Sequence, residues 1–132
     1  MIKISNATLI TGASEGLGLE LARCFAQEGS PLALVARNKA RLDEIATDLR
    51  ANHSIEVRIF SKDLSLPDAA VELKMELDRE GIQIGTLVNN AGCGVHGAFA
   101  TSDWKATEIM LRLNMLALTQ LTRMFLPAMV NE

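Results

Sequence analysis

Eight consecutive residues, Thr11-Gly12-Ala13-Ser14-Glu15-Gly16-Leu17-Gly18, space three glycines as G-x-x-x-G-x-G directly after an apolar β-type run. The chemistry such a turn can do is anion binding. A diphosphate needs backbone N–H groups at close range and the positive end of a helix dipole, and glycine lets the backbone approach because it has no Cβ. Glycine spacing alone is a weak signal. A strand before it and a helix after it supply the context, and the alternative is a tight strand–helix turn that holds no ligand. A second glycine-rich segment begins at Asn89-Asn90-Ala91-Gly92 and runs to Gly97. Asn114 lies in an otherwise apolar helical stretch, where asparagine is unfavourable unless its amide finds partners. His96 stands in the glycine loop with no Asp or Cys partner and reads as loop surface or pocket wall, while His53 reads as exposed. Cys93 has no activating neighbour, and neither it nor Cys24 has metal-ligand or redox spacing.

These groups are positioned by alternating β-type and helical segments, the pattern of βαβ units on a parallel sheet. The expected strands are Ala7–Thr11, Leu32–Ala36, Glu56–Phe60 and Thr86–Asn89. The second is apolar without alternation, as in a strand covered on both faces, and the third alternates as an edge strand does. The first helix runs from the glycine turn to about Glu28, with Leu17, Leu21, Ala22 and Phe25 on one face and Gly29 as its C-terminal cap. Asn38 is placed to cap a second helix carrying Leu42, Ile45, Ala46 and Leu49. Ser65-Leu66-Pro67-Asp68 reads as the start of a third, which ends near Gly81. A long helix from Asp103 to about Val130 closes the chain, with Trp104 expected to pack beneath it. Right-handed crossovers then give the strand order 3-2-1-4, with the reversal between strands 1 and 4, where an open α/β sheet binds its ligand. The last helix is apolar around most of its circumference, so a partner subunit or more chain is expected against its outer side.

The 132 residues make at most one domain, since single domains run to about 100–200 residues. With 48% apolar and 22% charged residues the chain carries enough aliphatic surface to fold. A net charge of −3 and a pI of 5.4 argue against nucleic-acid partners. No run of about 18 apolar residues is present, and Met1 to Asn6 lacks the apolar core of a signal peptide. Together with two cysteines that show no metal or redox spacing, this composition gives a cytoplasmic location as the expectation.

The glycine turn preceded by Thr11, Asp63-Leu64 after the third strand, Asn89-Asn90-Ala91-Gly92 after the fourth and Asn114 in the last helix occur in this order. So do Leu113-Asn114-Met115-Leu116-Ala117-Leu118-Thr119 and Leu126-Pro127-Ala128-Met129-Val130. In these motifs the chain resembles the short-chain dehydrogenase/reductase family over essentially its whole length. The resemblance implies a Rossmann-type doubly wound sheet, truncated here to about four strands, in a single NAD(P)-binding domain spanning residues 1–132. It also implies hydride transfer between a nicotinamide and a carbonyl or alcohol. It places Gly12, Ser14, Glu15, Gly16, Leu17 and Gly18 at the cofactor phosphates, and Arg37 and Asn38 at the ribose of the adenosine. Asp63 and Leu64 fall at the adenine, Asn90, Ala91 and Gly92 on the nicotinamide side, and Asn89 in holding the sheet. Asn114 matches the asparagine that anchors a proton-relay water in the catalytic tetrad.

The end of the second strand bears on cofactor choice. An NAD site usually has an acid there and an NADP site an arginine. This chain has Ala36-Arg37-Asn38, so NADP is expected over NAD. Many NADP-preferring relatives carry a second basic residue in the glycine turn; here that place is Glu15, with Ser14 beside it as a hydrogen-bond donor. The catalytic serine, tyrosine and lysine of the family follow the long helix, and the present sequence contains no tyrosine at all. The expectation is the cofactor-binding half of an NADP-dependent reductase, inactive by itself, with its last helix pairing in a homo-oligomer and with no metal site. A non-catalytic nucleotide-binding module, an inactive truncated product and another Rossmann user such as a methyltransferase are the alternatives.

Overall fold

The computed structural model describes residues 3–131. Four strands, β1 (Ile4–Thr11), β2 (Leu32–Ala36), β3 (Val57–Ser61) and β4 (Ile82–Val88), form one parallel sheet in the order β3-β2-β1-β4. Helices α1 (Gly16–Gln27), α2 (Lys39–His53) and α3 (Ala69–Arg79) connect them. After β4 come a glycine-rich loop, a short 3₁₀ turn (Phe99–Thr101), and a long helix in three parts. These are α4 (Trp104–Leu111), a π-helical stretch (Arg112–Ala117) and α5 (Leu118–Val130).

All five residues of β2 are buried, as a strand covered on both faces requires. Its side chains alternate between two cores: Ala33 and Val35 join Leu73, Leu77, Leu121 and Phe125 beneath α3 and α5, while Leu32, Leu34 and Ala36 join Leu42, Ile45 and Leu49 beneath α1 and α2. Asn38 caps α2 as expected, its Oδ1 accepting the Arg41 N–H at 3.0 Å. Asp103 caps α4 through the Lys105 N–H at 3.1 Å. Among the described residues no helix is long and apolar enough to cross a membrane.

Several local expectations are corrected. Strands β1 and β4 begin earlier than their apolar runs suggest, at Ile4 and Ile82, and β4 stops at Val88, leaving Asn89 just beyond it. Helix α1 is turned relative to the expected face. Gly18, Leu19, Ala22 and Ala26 are buried, Leu21 and Phe25 half-buried and Leu17 exposed, because the small residues allow the helix to approach the sheet closely. Ser65 does not cap α3; its hydroxyl and N–H both go to Asp63. Trp104 does not pack beneath the last helix but stands 66% exposed at its start. His53, at the end of α2, is half-buried. The last helix buries Ala117, Leu121 and Phe125 and leaves Leu111, Met115, Leu116, Leu118 and Leu126 exposed on its outer side.

Candidate functional site

The reversal of strand order places the carboxyl ends of β1 and β4 side by side, with Ile10 in register with Val88. The two glycine-rich loops leave the sheet at this point. Thr11, the last residue of β1 and only 2% exposed, ties them together. Its Oγ1 accepts the Asn90 N–H at 3.1 Å and the Ala91 N–H at 2.9 Å, and donates to the Val88 carbonyl at 3.4 Å. The Asn90 amide answers from the other loop, its Nδ2 donating to the carbonyls of Thr11 and Gly12, both at 3.1 Å. In the sequence Thr11 stands only as the residue before the glycines; a hydroxyl at the end of the first strand is the signal for its role.

The glycines of the turn do different jobs. A Cβ on Gly18 would lie 2.2 Å from the Gly12 carbonyl oxygen, and one on Gly12 would lie 2.9 Å from Asn90 Nδ2, so both are required for backbones to meet. Gly16 has a left-handed φ of +54°, and a Cβ there would meet nothing within 4 Å. The space is open there, at the first residue of a twelve-residue helix. Glu15 precedes it in extended conformation and gives no side-chain cap to the first turn, whose N–H groups have no intrahelical acceptor. The helix end carries roughly half a positive charge. Ser14 is half-buried beside it, and Glu15 and Leu17 are exposed. Open N–H groups and a positive helix end beside open space together suit a diphosphate.

Arg37 follows β2 and is exposed, its carbonyl accepting the Ser61 Oγ hydrogen bond at 3.0 Å. Asp63 lies near enough for the Arg37 charge to act on it. Hydrogen bonds from Ser65, its Oγ at 2.6 Å and its N–H at 3.0 Å, hold the Asp63 carboxyl below the ordinary range, with a smaller contribution from Arg37. The side chain of Asn38 is engaged in capping α2, and that of Leu64 is buried in the core beneath α3. Of the four side chains, that of Arg37 is exposed and that of Asp63 half-buried.

On the other side of the switch point, Asn114 sits in the π-helical stretch. Its Oδ1 accepts the Cys93 N–H at 2.9 Å and its Nδ2 donates to the Cys93 carbonyl at 2.7 Å. Both ends of the amide therefore fasten the second glycine loop, which explains a polar side chain in the middle of an apolar helix. A Cβ on Gly92 would lie 3.1 Å from Asn114 Oδ1. Single π-turns inside α-helices recur at functional sites. Asn89, assigned to holding the sheet, instead ties the end of β4 to α5 through Nδ2 and Thr122 Oγ1 at 3.0 Å; its Oδ1 is buried without a partner among the described residues. Cys93 and His96 are exposed in the loop. Among the described residues no three His, Cys, Asp or Glu side chains cluster as metal ligands.

The family model for short chain dehydrogenases matches residues 6–132. Among curated proteins, the very-long-chain 3-oxoacyl-CoA reductase of Anas platyrhynchos is 28% identical over 128 residues, covering 94% of this chain and 41% of the relative. Among solved structures, the short-chain dehydrogenase from Sphingobium yanoikuyae in complex with NADPH superposes with a TM-score of 0.88 at 39% identity, over 96% of this chain and 49% of that one. The bulky-bulky ketone specific alcohol dehydrogenase from Comamonas testosteroni gives 0.88 at 33% identity, over 96% and 50%. The chain thus spans about two fifths of the length of the curated reductases it matches and about half of the solved structures.

Proposed function

Because the chain belongs to the short chain dehydrogenase family, we propose that it forms the cofactor-holding half of an NADP-dependent oxidoreductase acting on a carbonyl or alcohol. The observation that carries this reading is the joining of the two glycine-rich loops at the β1–β4 switch point by Thr11 and Asn90, beside an α1 N-terminus with no side-chain cap. NADPH-complexed neighbours support the cofactor class, and Arg37 at the end of β2 supports the phosphorylated form.

In this reading the N–H groups of Gly12 to Gly18 bind the diphosphate, with Ser14 as a further donor and Glu15 turned to solvent. Arg37 meets the 2′-phosphate, Asp63 accepts from the adenine amino group, and the backbone at Asn38 and Leu64 lines the same end. Asn90, Ala91 and Gly92 lie along the nicotinamide side. A bound nicotinamide supplies the hydride. Asn114 holds the Cys93 backbone and so fixes the loop against which the reacting end of the substrate sits. The sequence contains no tyrosine, so the proton donor of the family's reaction has no counterpart among these 132 residues. The exposed outer face of the last helix is the surface for a second copy of the chain, and the two free cysteines suit a reducing, cytoplasmic setting. Fluorescence titration of the purified chain with NADPH and NADH tests the reading: saturable binding that favours NADPH is expected, and equal affinity for the two would remove Arg37 from its assigned role.

A further inference from the structure

Lys62 is a charge that neither the phosphate turn nor the Asn114 loop uses, and its surroundings are unusual for a lysine. Its side chain is only 15% exposed, and Nζ lies 3.0 Å from Glu72 Oε2 and 2.7 Å from Glu76 Oε1, both on α3. Its backbone N–H donates to the Ala36 carbonyl at 3.0 Å, one residue before Arg37. The residues on either side are tied to the same region: Ser61 Oγ donates to the Arg37 carbonyl, and Asp63 accepts from Ser65. One short turn, Ser61 to Ser65, is therefore bonded to the end of β2 on one side and to α3 on the other, with Lys62 as the link.

We propose that Lys62 is a positioning residue for the adenosine-phosphate end of the site, its two ion pairs to α3 holding the Ser61–Ser65 turn so that Arg37 and Asp63 stay at a fixed separation. The inference rests on the NADP reading above. Lys62 is not itself a phosphate ligand, because its ammonium is engaged by two carboxylates. Its charge nevertheless matters for the turn. Glu72 and Glu76 are one helical turn apart and repel without a cation between them. A partly buried ion pair is weak as a source of stability compared with apolar packing, but breaking it leaves charges without compensation. The expected consequence of removing it is a looser turn and a misplaced pair of ligand groups.

The test separates the two ends of the cofactor by using fragments of it. In the 132-residue chain, 2′,5′-ADP binding is measured by calorimetry and reduced nicotinamide mononucleotide binding by ligand-observed NMR. Lys62→Met is expected to weaken 2′,5′-ADP by about ten- to a hundredfold, the range for losing a hydrogen bond to a charged group, and to leave the mononucleotide within about twofold. Lys62→Arg, which keeps the cation, restores 2′,5′-ADP binding. Glu76→Gln, which leaves the turn's own residues intact, weakens 2′,5′-ADP in the same direction and decides the matter if Lys62→Met fails to fold. Unchanged 2′,5′-ADP binding in a variant overturns the role of Lys62 alone. Equal loss of both fragments makes Lys62 a general support and also overturns it. If the folded parent chain binds neither fragment, the NADP reading fails and this inference fails with it.

Discussion

Arg37 and Asp63 face the same end of the site with opposite charges, and each makes its own prediction. Arg37→Ala should weaken NADPH by about 1.5–3 kcal/mol, the range for a hydrogen bond to a charged group, and barely change NADH; calorimetry with both cofactors checks this. Asp63 titrates below its ordinary value of 3.8 because Ser65 bonds its charged form. A lowered folded-state value contributes stability above the ordinary pKa, and the contribution is lost as pH falls through the folded value. The stability gap between the parent chain and Asp63→Asn should therefore be full at neutral pH and close below about pH 3.8 in urea melts read against pH. The glycines separate folding from binding. Gly16→Val strains a left-handed residue, at about 1–2 kcal/mol, but meets no neighbour, so the chain should still fold while cofactor binding is lost. Gly18→Ala drives a Cβ into the Gly12 carbonyl and should cost both, as circular dichroism and titration together would record.

One hydroxyl, that of Thr11, fastens the start of the second glycine-rich loop to the end of β1. Thr11→Val leaves the Asn90 and Ala91 N–H groups without their acceptor, and should lower the stability of the chain by about 1–3 kcal/mol, with Thr11→Ser restoring most of it; denaturant midpoints are the measure. At this scale the sequence is informative where burial is two-sided or a cap is local. The unbroken apolar run of β2, the Asn38 cap and the strand order 3-2-1-4 all follow from pattern and chain chirality. It is uninformative where tertiary contact decides. Periodicity assigns α1 the Leu17–Phe25 face, but close approach through Gly18, Ala22 and Ala26 selects another. The π-helical stretch has no local signature; it coincides with the pairing of Asn114 to Cys93, twenty-one residues away in the chain. Ser65 resembles a cap because Pro67 and Asp68 follow it, yet its hydroxyl and its N–H both donate to the Asp63 carboxylate, which turns it away from the start of α3.

Over the whole molecule, the site residues collect at the carboxyl end of the sheet while the outer face of the last helix remains apolar, with Met115 and Leu116 both 59% exposed. Under the proposed reading this exposed apolar surface is the face that a second copy covers. Light scattering should find the chain associated, and Met115→Glu combined with Leu118→Glu should shift it to monomer. Since the sequence has no tyrosine, the purified chain with NADPH should consume no ketone or aldehyde, followed as loss of reduced-cofactor absorbance. In the proposed reading one dinucleotide spans both glycine-rich loops across the β1–β4 switch point. Hydrogen exchange of the chain with and without NADPH measures this directly. Slowed exchange at Gly12 to Gly18 and at Asn90 to Gly94 together is the predicted result. Protection of neither segment under saturating NADPH, or protection only elsewhere in the chain, would contradict it.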